Sequence, residues 1–385
     1  MDASTAMLSD QQLQVRDMVR RFADAAVRPI AGELDETERF PAEVYARMAE
    51  LGLFGIAVPA AMNGAGLDVV SYAVVMEELA RGYASVADQC GLLELIATLL
   101  ARHGTPAQRE RYMGPMLAGT MRPAYAITEA EAGSDVAGIR TTATRTPGGW
   151  RLTGGKLWIH NAPVCDFAVV LARTDPAAGR RGMSIFIVDA ALPGFARGKR
   201  EHKMGQRASP VGALHFDDVA LPEDALLGPE GDGFRIMMSV LEKGRIGIAA
   251  LAVGIAQAGL EAALAYARQR RQFGRAIIDN QGLGWMLADM AKDIQAARLL
   301  TWDAAARLDR GEKATKASSM AKCFAGDVAV AQTANAVQVF GGTGYIRGFE
   351  VERLYRDAKI CQIYEGTQQI QRTIIARELA REDIA

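Results

Sequence analysis

The sequence predicts a multi-domain α+β protein in which helices come first, strands second and helices again last. Three observations predict this order. From Ser9 to about Leu117 apolar residues recur at helical spacing. From about Met121 to Leu227 short runs rich in β-branched residues are separated by glycine and proline. From Gly233 long helical patterns return and continue to the C-terminus. Strands and helices do not alternate, which argues against a parallel βαβ sheet. The domains are assigned as residues 1–120, 121–230 and 231–385.

Taking the elements in order, Ser9 followed by Gln12 forms a candidate capping box, and Leu13, Val15, Val19 and Phe22 form an apolar stripe. Phe40-Pro41 marks a break, with Pro41 suited to the first turn of a new helix. Further helices are expected over Val69–Arg81 and Gly91–Arg102. Strands are expected over Thr141–Thr146, Trp150–Thr153, Lys156–Ile159, Phe167–Ala172 and Met183–Val188, with turns at Pro147-Gly148-Gly149 and Gly154-Gly155. The run Gly247–Ala267 approaches the length of a membrane span. Gln257 and Glu261 interrupt it and its residues are mostly small, so a buried bundle helix is expected and no membrane span.

The 385 residues carry a net charge of −1, which shows no electrostatic footprint for nucleic acid. Cys90, Cys165, Cys323 and Cys361 are not spaced as C-x-x-C, so no metal site is expected and a reducing compartment fits. The N-terminus lacks a basic start followed by a long apolar core, so no signal peptide and a cytoplasmic location are expected.

Several stretches are chemically suggestive, and each also has an ordinary structural explanation. In Ala126–Asp135, Thr128 and Ser134 offer hydroxyls to a ligand, or Ser134 or Asp135 simply caps a helix. In Lys156–Ala162, Trp158 either stacks near a ring or anchors a core, and His160 is a cofactor donor, a base or a surface residue. The cations of Arg268–Gln281 suit either a helix C-terminus, with Gly274 ending it, or a pyrophosphate. Gly341-Gly342-Thr343-Gly344 follows the helical run Ala329–Val339 rather than a strand, so it is not a dinucleotide fingerprint. Glu365 in QIYEGTQQIQR is either a helix-start charge or a base.

In combination these stretches resemble the acyl-CoA dehydrogenase family, most closely its short-chain and related bacterial members. The match rests on Tyr125–Asp135 (YAITEAEAGSD), Lys156–Ala162 (KLWIHNA), Lys203–Ser209 (KMGQRAS), Arg270–Gly274 (RRQFG), Gln338–Tyr345 (QVFGGTGY) and Arg356–Arg372 (RDAKICQIYEGTQQIQR), in family order over most of the chain. The resemblance implies a helical N-terminal domain, a central β-barrel-like domain and a C-terminal four-helix bundle. It implies FAD, with flavin contacts from Tyr125, Ile127, Thr128, Ser134, Trp158 and His160. Contacts to a neighbouring subunit's FAD fall on Arg270, Phe273, Gln281, Gln338, Gly341 and Gly342, in a homotetramer built as a dimer of dimers; Thr367 and Gln369 match further nucleotide contacts. Ser134, Glu242, Arg245 and Gly366 match substrate contacts. Glu365 aligns with the catalytic base that removes the α-proton of an acyl-CoA while the β-hydride leaves for flavin N5, giving the trans-2-enoyl thioester. The alternative helix position for that base is Gly244. An electron-transfer flavoprotein is the implied acceptor.

This sequence departs from the family pattern at three places. Ala130 replaces the usual proline. His160 stands where a Thr or Ser hydroxyl usually bonds flavin N5, which leaves flavin potential and oxygen reactivity open. Glu94 lies on the helix that lines the family's acyl pocket, preceded by Asp88 and Gln89; it faces either a partner helix or solvent, or the pocket, where a polar or cationic acyl group would pair with it. The alternatives to the acyl-CoA dehydrogenase are a carrier-protein-linked acyl substrate, an oxidase using dioxygen, and a non-catalytic ligand-binding homologue.

Overall fold

The computed structural model describes residues 7–382, so the extreme ends of the first and last assigned domains, and the first residues of the N-terminal segment, lie outside it. Helix α1 (Asp10–Phe22) begins at the expected capping box: the Ser9 hydroxyl accepts from the Gln12 N–H, and the Gln12 side chain accepts from the Ser9 N–H at 2.8 Å. After α2 (Ala31–Thr37) and α3 (Ala42–Glu50), for which Pro41 is the N-cap, come α4 (Val69–Gly82) and α5 (Ala84–His103). Helix α5 begins well before the expected Gly91. That glycine lies inside the helix, where a Cβ would meet Met76 Cε at 3.1 Å, so it marks a close packing and not a start. Two short turns, α6 (Pro106–Gln108) and α7 (Gly114–Leu117), lead to the sheet.

The strands are β1 (Pro123–Ala126), β2 (Thr142–Thr146), β3 (Gly149–His160), β4 (Phe167–Arg173), β5 (Met183–Asp189), β6 (Phe195–Arg200), β7 (Val211–Pro222) and β8 (Leu226–Leu227). Their order is β6-β7-β3-β2-β4-β5-β8, with β1 beside β4. The sheet wraps a core of its own that includes Trp150, Leu152, Phe186, Phe216 and Val219. The expected turn at Gly154-Gly155 does not exist: β3 runs straight through it. The two glycines sit at a register shift against β7, and a second shift follows between Lys156 and Ile159. Glycine inside a strand signals a bulge as readily as a turn.

The C-terminal helices are α8 (Gly233–Gln269), α9 (Gln281–Asp309), α10 (Thr315–Phe340), α11 (Glu350–Ala358) and α12 (Gln368–Leu379). Helix α8 contains the run that approached membrane length, and 78% of its most apolar window is buried inside the chain. It packs on α9 and α10 and also on α4 and α5. One hydrophobic core therefore joins the first and last thirds of the sequence, from Leu8 to Cys361. Gly274 does not end α8. The helix stops at Gln269, and Gly274 (φ 80°) turns a hairpin between β9 (Arg271–Gln272) and β10 (Arg275–Ala276). Only Arg268 of the cationic cluster lies in the last helical turn; Arg270, Arg271 and Arg275 lie beyond it.

Candidate functional site

The loop from Ile363 to Thr367 carries Glu365 between a short 3₁₀ turn and α12. Its backbone is left-handed at Glu365 (φ 53°) and Gly366 (φ 92°). A non-glycine residue in that region is uncommon and requires support from its surroundings. The support comes from α10 and α12. Lys322 Nζ donates to the Gly366 carbonyl at 2.6 Å, and Gln371 Nε2 donates to the carbonyls of Glu365 (2.9 Å) and Gly366 (3.0 Å). Thr367 caps α12, its hydroxyl accepting from the Ile370 N–H at 3.3 Å. Both carbonyls of the loop are thus tied down. Neither N–H of Glu365 and Gly366 has a partner among the described residues.

The Glu365 side chain points at α8. A Cβ on Gly244 would lie 2.8 Å from Glu365 Oε2 and 3.2 Å from Leu95 Cδ1, so the glycine makes room for the carboxylate. Glu365 Oε2 is buried and accepts no hydrogen bond. Burial pushes this carboxyl up to about 7, against the pull of Arg245 and Lys322 and with a smaller upward push from Asp88. Arg245 is itself buried with Nε unpaired, and burial lowers its pKa. Glu242, one turn before it on α8, accepts from the Thr315 hydroxyl.

The sheet supplies the facing wall. Lys156 on β3 donates to the Ile127 carbonyl and to Glu129, each at 2.8 Å, and the Leu157 N–H donates to the Thr128 carbonyl at 2.9 Å. Glu129 also accepts from the N–H groups of Arg140 (2.6 Å) and Thr141 (3.0 Å). Ile127 and Thr128 are thereby fixed against β3. Tyr125 reaches α8, its hydroxyl donating to the Met237 carbonyl at 3.3 Å. Trp158 lies at the second register shift with φ 56° and is 62% exposed, a large ring left uncovered by its own chain. Ser134 is exposed and makes no cap: the 3₁₀ turn Val136–Gly138 follows Asp135 without a side-chain bond.

His160, at the end of β3, is paired through Nδ1 with Asp88 Oδ2 of α5 at 3.2 Å. Ser209 donates to the same oxygen at 2.8 Å. His160 Nε2 is buried without a partner. Burial lowers the imidazole pKa, Lys203 adds to that, and Asp88 opposes it. Glu94 faces a partner helix, as one of the two expectations held. It is buried against Lys243 of α8, which also donates to Thr98 Oγ1 at 3.0 Å. The cation that a polar acyl group was to supply is therefore provided by the chain. Asp88 as the partner of His160 and Lys243 as the partner of Glu94 are not legible in the sequence, because each pair joins residues far apart in the chain.

The other candidate residues gather elsewhere. Arg270, Phe273, Gln281, Gln338, Gly341 and Gly342 are exposed around the far ends of α8 and α10, which the stacked rings of Tyr266 and Phe340 hold together at 4.1 Å. Gln369 is exposed on the first turn of α12. From Met237, where Tyr125 is anchored, to Arg270 is ~50 Å along α8 at 1.5 Å per residue. The structure does not bring these two groups of residues together within one chain.

A buried, unpaired carboxyl oxygen held near neutrality, in a chain whose sheet leaves a large aromatic ring uncovered, is suited to taking a proton from carbon while a flat redox group takes the hydride. Fold and site together define a dehydrogenase acting on a carbon–carbon bond. Profiles of the acyl-CoA dehydrogenase N-terminal, middle and C-terminal domains match residues 9–120, 124–219 and 231–380. An acyl-CoA dehydrogenase of Bacillus subtilis is 44% identical, covering 97% of this chain and 98% of that protein. The caffeyl-CoA reductase-Etf complex subunit CarC of Acetobacterium woodii is 41% identical over 97% of this chain and 99% of its own. The structure of butyryl-CoA dehydrogenase from Megasphaera elsdenii superposes with a TM-score of 0.94 at 38% identity, covering 97% of this chain and 99% of that one.

The chain belongs to the acyl-CoA dehydrogenase family. It is an FAD-dependent oxidoreductase that dehydrogenates an acyl-CoA. The residues present fit a flavin: Trp158 is uncovered, His160 Nε2 is a buried polar atom without a partner, and Ile127–Thr128 is braced beside them. No group of acidic, His and Cys side chains among the described residues could hold a metal ion.

Proposed function

We infer that Glu365 is the base that removes the α-proton of a short acyl-CoA, with the β-hydride passing to the flavin. The carrying observation is the buried, unpaired Glu365 Oε2 opposite Gly244. Held near neutrality, the carboxylate is a far stronger base than a solvated glutamate, and proton transfer is most efficient when the pKa lies near working pH. The free N–H of Glu365 is available to the thioester carbonyl, where it would stabilise the developing enolate. Arg245 adds positive charge behind the carboxylate and keeps part of it ionised. FAD, when bound, supplies the hydride acceptor; Tyr125, Ile127, Thr128, Ser134, Trp158 and His160 would hold its flavin end. Glu242, Arg245 and Gly366 line the thioester side.

Arg270 lies ~50 Å along α8 from Met237, where Tyr125 is held, which supports a tetramer in which Arg270, Phe273, Gln281, Gln338, Gly341 and Gly342 serve the FAD of a neighbouring subunit. The Etf complex of the Acetobacterium relative supports an electron-transfer flavoprotein as acceptor. A cytoplasmic location belongs to the same proposal. Anaerobic titration with acyl-CoAs of graded length tests the reading. One short member bleaches the flavin absorbance of the wild type and not of Glu365→Gln; bleaching that survives in the variant would overturn the assignment of the base.

A further inference from the structure

Tyr72 is a buried residue of α4 whose ring enters the joint between α5 and α8. A Cβ on Gly247 of α8 would lie 2.1 Å from the Tyr72 hydroxyl oxygen, and a Cβ on Gly91 of α5 would lie 3.5 Å from it. Both helices are bare where this oxygen sits. One turn earlier on the same face of α8, Gly244 stands opposite Glu365 in the same way, with Leu95 of α5 beside it. Glu365 and Tyr72 therefore pack against the same face of α8 about one helical turn apart, ~5 Å, with Leu95 of α5 beside the first of them. The Tyr72 hydroxyl makes no hydrogen bond among the described residues. Lys243 Nζ lies 5.8 Å from the centre of the Tyr72 ring, and it is paired with Glu94. The charges of Glu94 and Glu365 both reach the phenol, which burial holds well above its ordinary pKa.

We propose that Tyr72 closes the distal end of the acyl cavity and confines this enzyme to short acyl groups, with the Lys243–Glu94 pair making the stop rigid from behind. The proposal rests on Glu365 being the base, which fixes the proximal end of the cavity. A longer chain would have to displace an aromatic ring wedged between two glycines. The well-packed interior leaves that ring nowhere to go. Removing the ring would join the cavity to the space beside Met76, Gly91 and Gly247.

The test measures binding and turnover of butyryl-, hexanoyl- and octanoyl-CoA by the FAD-loaded wild type, Tyr72→Phe, Tyr72→Leu and Tyr72→Ala. Binding is read by calorimetry in the Glu365→Gln background, so that it does not depend on chemistry. Wild type and Tyr72→Phe are expected to favour butyryl-CoA. In Tyr72→Ala each added methylene should gain about fourfold in affinity, so octanoyl-CoA should gain on the order of 10². Tyr72→Leu, a milder truncation, carries the test if the alanine variant does not fold. A folded, flavin-loaded variant with the wild-type ratio of octanoyl to butyryl binding would overturn the proposal, as would a wild type that binds octanoyl-CoA equally well. A wild type whose flavin no acyl-CoA bleaches would overturn the reading of Glu365 instead, and the binding ratios would still decide the role of Tyr72.

Discussion

Asp88 of α5 and His160 of β3 meet at 3.2 Å across the joint between the N-terminal helices and the sheet. The carboxylate lies beside Nδ1, and Ser209 fixes the carboxylate in turn. The contact with Asp88 is electrostatic, and the other ring nitrogen, Nε2, is buried without a partner. The ring nitrogen Nε2 is therefore left to a bound group.

That pair reaches the base. Asp88 is one of the groups that hold Glu365 up, behind burial itself. In Asp88→Asn the acid limb of kcat/KM is expected to move to lower pH, and the flavin midpoint potential to shift with the charge lost beside His160. A profile and a potential both identical to wild type would reduce the pair to a structural contact.

Glu365 itself sets two pH dependences of opposite sense. Activity needs the carboxylate, so kcat/KM should rise with pH through about 7 and level off above it. Glu365→Gln should lose roughly 10²–10⁴ in kcat. Stability runs the other way. A carboxyl with a raised folded pKa contributes fully below its unfolded value, and that contribution fades as pH climbs to about 7. The wild type should lose about 3 kcal/mol over that window, and urea denaturation of Glu365→Gln should show no such loss.

Lys243 and Glu94 form an ion pair deep between α5 and α8. Removing one partner leaves a buried charge, so Lys243→Met should cost about 3–5 kcal/mol. Replacing both, as Glu94→Leu with Lys243→Met, should recover most of it. Equal losses in the single and double variants, measured by urea denaturation of the FAD-loaded protein, would mean that the pair contributes through packing alone.

Phe273 at the tip of the β9–β10 hairpin is 99% exposed and left-handed (φ 51°). A ring held out in this way by a strained turn suits contact with another copy of the chain. Phe273→Asp should yield assemblies smaller than the wild type by light scattering and should release FAD more readily. An unchanged mass with unchanged FAD content would remove this hairpin from the interface.

The helical and strand-rich regions were legible because apolar spacing is a local property. The glycines were harder. Gly154 and Gly155 read as a turn and belong to a bulge, Gly91 read as a helix start and is a packing gap, and Gly274 read as a helix end and turns a hairpin. Each needs its neighbour from another element before its meaning is fixed. Glu365 was found through the order of motifs along the chain, since a lone carboxylate before a helix carries no such message. Asp88 and Lys243 went unread: charged residues on helices normally face water, and only the folded chain shows the partner that lets each turn inward.

The position of α8 has a consequence for how the protein is made. Helices α4 and α5 both pack an apolar side on α8, yet the entire sheet is translated between His103 and Gly233. During synthesis the first helices emerge with an open flank and must wait for a cover encoded far downstream. The nascent chain is thus a natural client for a chaperone until α8 arrives, and the sheet, with a core of its own, is the part able to fold ahead of it.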